Sequence, residues 1–170
     1  MKKMILAIAS LSLLASGVQA ADMSNTDGVY LGVASNSIRI KAQNDSTQNQ
    51  LGFYAGYRFG NLAAEISHSE RKIDDQKTSF TDLSFVPHVA IAKNVDIIGK
   101  LGLRSSSISE AGMSDSGRSL VIGVGAEYAF LPQWNARLMV DRSSKTFGLK
   151  TSEGEQIKAT TTTLGVAYKF

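Results

Sequence analysis

The sequence predicts an all-β protein: an eight-stranded antiparallel, up-and-down β-barrel that crosses a membrane. Three observations carry this expectation. The closing stretch, Thr161 to Phe170, places Leu164, Val166, Tyr168 and Phe170 on one face and Gly165, Ala167 and Lys169 on the other, the period-two alternation of a strand. Eight segments of the chain alternate in this way, each near the 9 to 11 residues that a tilted membrane strand needs. The connections between them alternate between tight and long, as short periplasmic turns and long external loops do.

Export is the premise of a membrane barrel, and the N-terminus supplies it. Lys2 and Lys3 form a basic region, Ile5 to Leu14 an apolar core, and Val18-Gln19-Ala20 a small-x-small cleavage site, the pattern of a secretory signal peptide. Residues 1–20 are therefore read as signal, cleaved after Ala20, and 21–170 as the barrel domain. The apolar run is too short for a spanning helix, and no cysteine follows the cleavage site for a lipid anchor. The chain carries 18 Lys and Arg against 15 Asp and Glu. Removing Lys2 and Lys3 leaves 16 against 15, so the basicity is mostly a targeting feature and no nucleic-acid partner is implied. With no cysteine anywhere, disulfides and thiolate metal sites are excluded, and no cofactor is expected.

The strands are expected over Gly28 to Ile38, Gln50 to Phe59, Leu62 to Ser69, Phe80 to Ala92, Asp96 to Ser105, Arg118 to Phe130, Trp134 to Ser143 and Lys158 to Phe170. Gly60-Asn61, Lys93 to Val95 and Leu131 to Gln133 read as tight turns. The stretches Arg39 to Asn49, Glu70 to Ser79, Ser106 to Gly117 and Ser144 to Ile157, rich in Ser, Asp, Lys and Gly, read as four long loops. Pro87 lies inside a strand that has neighbours on both sides. It lacks an N–H for the ladder, which costs a ladder bond unless a bulge absorbs it.

Parity assigns the faces. Outward lie residues such as Val29, Leu31, Leu51, Phe53, Ile66, Leu83, Phe85, Leu101, Val124 and Leu138. Inward lie glycines interleaved with Arg58, Glu65, His88, Lys100, Arg104, Glu127, Arg137, Asp141 and Lys169. A soluble barrel would reverse this distribution. Tyr57, Phe59, Tyr128, Phe130, Trp134, Tyr168 and Phe170 all fall near the tight-turn ends, forming one interfacial aromatic girdle. An eight-stranded barrel is just wide enough for side chains to fill, which argues against a general diffusion pore, and its interior charges must pair. Residues whose numbers sum to 264 face each other across the turn at Pro132, so Glu127 should meet Arg137. Arg58 and Glu65 are diagonal neighbours within reach of each other.

Two other constellations carry less. His68-Ser69-Glu70 holds the residue types of a hydrolase triad, but adjacent strand residues point to opposite faces, so His68 and Ser69 do not share a proton readily and no catalytic residue is assigned. The two histidines lie on different strands and faces, which gives no metal site. The loops carry Arg39, Lys41, Arg71, Lys72, Lys77, Arg118, Arg142, Lys145 and Lys150, some of which could meet lipopolysaccharide phosphates. Mixed with acidic loop residues, they read first as solvated surface charge.

The segments Ala92 to Ser107 (AKNVDIIGKLGLRSSS) and Gly123 to Asp141 (GVGAEYAFLPQWNARLMVD), with the ending LGVAYKF, resemble the OmpA transmembrane domain. The similarity covers the second half of the chain well and the first half by pattern. It implies an eight-stranded barrel of the cell outer membrane with an interior ionic network, to which Lys100, Glu127 and Arg137 belong by position. The chain departs from OmpA in ending at Phe170 without a peptidoglycan-binding domain, so a tether to the cell wall is not implied. The function expected is that of a monomeric structural or surface-interaction protein acting through its external loops. Its expected partners are outer-membrane lipid, lipopolysaccharide and, through the C-terminal strand, the outer-membrane assembly machinery. A narrow ion channel and a lipid-modifying enzyme are the alternatives.

Overall fold

A computed structural model of the chain describes residues 27–41, 46–73, 76–110, 113–147 and 158–170. The predicted signal segment, with its cleavage site at Ala20, and most of the Ser144 to Ile157 stretch lie outside the described residues. Eight strands follow one another: β1 (Gly28–Lys41), β2 (Ser46–Phe59), β3 (Leu62–Ile73), β4 (Gln76–Ala92), β5 (Val95–Glu110), β6 (Met113–Leu131), β7 (Trp134–Phe147) and β8 (Lys158–Lys169). Each pairs antiparallel with the next, and β8 returns to β1, closing the barrel.

Alternation fixes which way each strand faces. Leu51, Val33, Leu83, Val124, Val89 and Leu164 stand exposed on the outer wall, while Ala63, Val86, Ile98 and Val121 are fully buried inside. Lipid covers the first set, so apolar exposure here is a solvent match and not a liability. The interior is not uniformly polar. Tyr30, Ala34, Tyr54, Val86, Ile98 and Met139 belong to an apolar cluster among the buried charges. Around the tight-turn end the aromatics gather: the Tyr57 and Phe59 rings stack at 6.5 Å, and Trp134, Tyr168 and Phe170 follow edge to face at 5.1 and 5.0 Å. The Phe170 amide donates to the Val29 carbonyl at 3.0 Å, tying the last residue to the first strand.

The turns set the register. Gly60 adopts φ 59°, a left-handed conformation that favours glycine, and its amide donates to Asp27 Oδ1 at 2.6 Å. The two connections expected to have three residues are tighter. Val95 and Leu131 belong to strands, the turns reduce to Lys93-Asn94 and Pro132-Gln133, and the ladder absorbs the difference with irregularities at Ala90/Ala92 and Ala129/Leu131. Those irregularities are bulges, which re-aim a strand at a barrel rim.

One expectation is corrected, and an open one is decided. Three of the four long loops are largely strand: β1 runs on to Lys41, β2 begins at Ser46, β3 continues to Ile73, β4 begins at Gln76, β5 reaches Glu110 and β6 begins at Met113. These extensions carry Ser, Thr, Lys and Arg on the outward face, because beyond the lipid neither face of a ladder needs apolar residues. Pro87 sits in no bulge. Phe85 pairs with Leu101 and His88 with Ile98 in unbroken register, so the β4–β5 ladder omits its pairs at Val86 and Pro87, while both residues keep their β3 partners, Ala63 and Leu62. The proline ring leans over Gly99, where a Cβ would collide with it.

Replacing Val124 or Leu138 with Arg should destabilise the folded barrel by about 2 to 4 kcal/mol if these sites lie near the bilayer midplane. Arg at the exposed outer-end residue Ser116 should cost almost nothing. Urea unfolding in lipid vesicles measures all three, and equal effects would overturn the face assignment.

Candidate functional site: the ion-paired interior

A charge inside a narrow barrel must be matched there, since an unpaired buried ion costs several kcal/mol. The buried ions form two clusters. Toward the outer ends of the strands, Arg104 of β5 binds Asp82 of β4 through Nε to Oδ1 at 2.7 Å and Nη2 to Oδ2 at 2.8 Å. The same guanidinium reaches Asp141 of β7 at 2.9 Å and Thr161 Oγ1 of β8 at 3.1 Å. Lys100 Nζ donates to Asp82 Oδ2 at 2.7 Å. Two cations meet two carboxylates, with the Phe80 ring 5.6 Å from the Arg104 guanidinium.

Nearer the tight turns, Arg137 of β7 is the hub. Its Nε and Nη2 donate to Glu127 Oε1 at 2.8 and 2.7 Å, and its Nη1 donates to Glu65 Oε2 at 2.5 Å. Tyr30 Oη also donates to Glu65 Oε2 at 2.8 Å. The Tyr54 ring lies 4.6 Å from the guanidinium carbon, within cation–π range. Two glycines make room: a Cβ at Gly32 would strike the Tyr54 ring, and one at Gly56 the Tyr30 hydroxyl. Below this hub Arg58 donates to Asp96 Oδ2 at 2.9 Å and to the Gly60 carbonyl at 2.9 Å. His88 Nδ1 stands 3.3 Å from Asp96 and 3.6 Å from Glu127, linking the two halves of the cluster.

All six interior residues named from the sequence, Arg58, Glu65, Lys100, Arg104, Glu127 and Arg137, are buried, and Glu127 lies opposite Arg137 in the ladder. The pairing suggested for Arg58 with Glu65 does not form. The two remain diagonal neighbours, but Arg58 crosses to Asp96 and Glu65 turns to Arg137 and Tyr30, because in so narrow a barrel a long side chain reaches another wall as easily as its own. Asp82 and Asp96, both central, were not singled out, although their parity opposite Leu83 and Ile97 marks them as inward.

Between the clusters remains a cavity of about 40 Å³, touched by Asn36, Glu65, Asp82, Arg104, Asp141 and Thr163. That is room for a few waters at most. On the outer wall, His68 faces away from Ser69, which donates to Gln50 Oε1 inside the barrel at 3.1 Å. His68 Nδ1 instead lies 2.9 Å from Thr81 Oγ1, while Glu70 is 3.8 Å from His68 Nε2 and bound to Lys77 at 2.9 Å. At 3.8 Å the carboxylate is too far to orient the imidazole by a hydrogen bond. Among the described residues no group of three His, Cys, Asp or Glu side chains is placed to hold a metal.

The sequence profile of the outer membrane protein beta-barrel domain matches residues 8–170. The chain belongs to that family. No curated protein sequence matches it. Solved barrels of the same fold include Ail, the attachment invasion locus protein of Yersinia pestis, in a complex with the heparin analogue sucrose octasulfate; it is 18% identical with a TM-score of 0.62, over 85% of this chain and 99% of Ail. Neisserial surface protein A is 17% identical with a TM-score of 0.63, over 84% of this chain and 97% of its own. The N-terminal β-barrel domain of Pseudomonas aeruginosa OprF is 18% identical with a TM-score of 0.62, over 85% and 100%. All are OmpA-like eight-stranded outer-membrane barrels, and membership of this family implies the outer membrane as the location.

The shared hub generates an unequal double-mutant cycle. Arg137→Met leaves two carboxylates, Glu65 and Glu127, without their guanidinium, whereas Glu127→Gln leaves Arg137 still paired with Glu65, so the arginine variant should lose more stability. Combining the two should show coupling of about 0.5 to 3 kcal/mol. Additive losses in vesicle unfolding would mean that the two side chains do not touch.

Proposed function

We propose that this protein is a sealed, non-catalytic monomer of the outer membrane that acts as a structural or surface-interaction protein through its outer end. One observation carries the reading: ion pairs span the interior from wall to wall beside a cavity of about 40 Å³, while the strands continue past the apolar band as a polar wall. In such an arrangement the lumen is filler, and the surface beyond the lipid is what other molecules meet. The resemblance of the fold to Ail and to Neisserial surface protein A supports a surface role.

Export by the N-terminal signal, with cleavage after Ala20, delivers the chain to the periplasm. The tight turns and the aromatic girdle then sit on the periplasmic side, as the usual asymmetry of turns and external connections favours. The terminal Tyr168-Lys169-Phe170 segment, with its edge-to-face aromatics, is the part presented to the assembly machinery, and lipopolysaccharide is the lipid neighbour at the outer end.

Planar-bilayer recording of the purified barrel tests the sealed interior: no discrete conductance is expected, and stable single-channel steps in the unmodified protein would replace this reading with the channel. Assembly has its own test. Phe170→Ser, or loss of Phe170, should reduce the heat-modifiable protein that accumulates in the outer membrane. Normal levels of folded protein would remove the terminal aromatic from assembly.

A further inference from the structure

Charges at the outer end sort by the direction they face. Among the described side chains on the outward face beyond the apolar band, Arg39, Lys72, Lys77, Arg118 and Arg142 are cationic, and Glu70 is the single carboxylate. Glu70 belongs to the β3–β4 flank. Its hydrogen bond with Lys77 holds its carboxyl below the ordinary carboxylate range, and Lys72 lies directly across from Lys77, so this flank carries its own counter-charge.

The flank made by β6, β7, β8 and β1 differs. Arg118 and Arg142 hold the first outward positions beyond Leu120 and Val140, where the apolar wall ends. Arg142 pairs in the ladder with Ile122, four residues along β6 from Arg118, which separates the two Cα atoms by about 14 Å. Each has a hydroxyl neighbour on the next strand: Ser105 opposite Arg118 and Thr160 opposite Arg142. Arg39 lies on the far side of Thr160 in the same row. A side chain that points outward just past the apolar end of its own strand is placed toward the headgroup region of the adjacent lipid, and the two arginines reach into that region at different depths. Guanidinium is the group best suited to grip phosphate, by two parallel charge-assisted bonds.

We infer that Arg118 and Arg142, flanked by Ser105, Thr160 and Arg39, form a binding site for the phosphorylated disaccharide headgroup of lipid A in the outer leaflet. Two arginines at this spacing suit two phosphate groups carried on one sugar headgroup, and the hydroxyls between them suit its sugars. A phospholipid, with one phosphodiester, would engage only one arginine. The inference rests on the proposed orientation, with the tight turns toward the periplasm.

The test uses the full folded barrel in non-ionic detergent, titrated with bisphosphorylated lipid A, dephosphorylated lipid A and phosphatidylglycerol, with bound lipid read by native mass spectrometry. The unmodified protein should prefer bisphosphorylated lipid A by about tenfold or more over the other two, the loss expected when charge-assisted bonds are removed. Arg118→Gln with Arg142→Gln should abolish the preference, and Lys77→Gln should leave it intact. A preference that survives the double substitution, or equal binding of phosphatidylglycerol, overturns the site. Heat-modifiable migration checks that every variant is folded, so a folded barrel without the preference sinks the site and leaves the barrel reading standing. Ser107→Cys, labelled on intact cells by a membrane-impermeant maleimide, reports orientation separately. Labelling only after the outer membrane is opened would overturn the orientation and, with it, the site.

Discussion

Arg137 is buried inside the barrel almost without solvent, and a guanidinium there needs opposite charge and hydrogen-bond acceptors close around it. Glu127, Glu65, Tyr30 and Tyr54 supply them from β6, β3, β1 and β2. Much else follows from that demand. The tyrosines need Gly32 and Gly56 opposite them, and Glu127 must sit across the β6–β7 hairpin from Arg137. Side chains that span the interior are thus a by-product of charge compensation in a narrow tube, where walls lie close enough to be bridged.

The outer wall obeys a different solvent. Hydrocarbon meets one face of every strand and rewards apolar residues there, so the alternation is sharp between the aromatic girdle and residues such as Val33, Leu51, Leu83 and Leu164. Beyond them the ladder persists without the apolar face. The backbone bonds keep the strands paired, while Ser105, Thr160 and Thr162 replace the aliphatic side chains.

That change of solvent explains what could be read in the sequence and what could not. The faces, the strand number and the Glu127–Arg137 register were legible, because each depends on local periodicity or on a short turn that counts residues. The outer strand extensions were not. Ser106 to Gly117 has the composition of a loop, and in a ladder wet on both sides the hydrophobic period that would betray a strand is gone. Side-chain partners were legible only across one hairpin. Parity offers Arg58 its diagonal neighbour Glu65, but its choice of Asp96 depends on distances across the lumen that no strand pattern encodes. Asp82 and Asp96 have the correct parity, yet each is a lone carboxylate whose partners lie on other strands, so nothing local marks it as central. Pro87 was recognised as irregular, while its accommodation by Gly99 on the neighbouring strand required the register between two strands.

The interior clusters also join parts of the chain that are far apart in sequence: Tyr30 with Glu65, Glu65 with Arg137, and Arg104 with Thr161. None of these bonds can form in an isolated hairpin. Pairs on neighbouring strands, such as Asp82 with Arg104 and Glu127 with Arg137, can already stand in an open sheet. Until β8 docks on β1, however, the bonds that cross the lumen are missing, and Glu65 and Arg58 hold their charges without the partners they reach in the closed barrel. Closure then behaves as a latch: the last strand pairing supplies the remaining share of the compensation in one step.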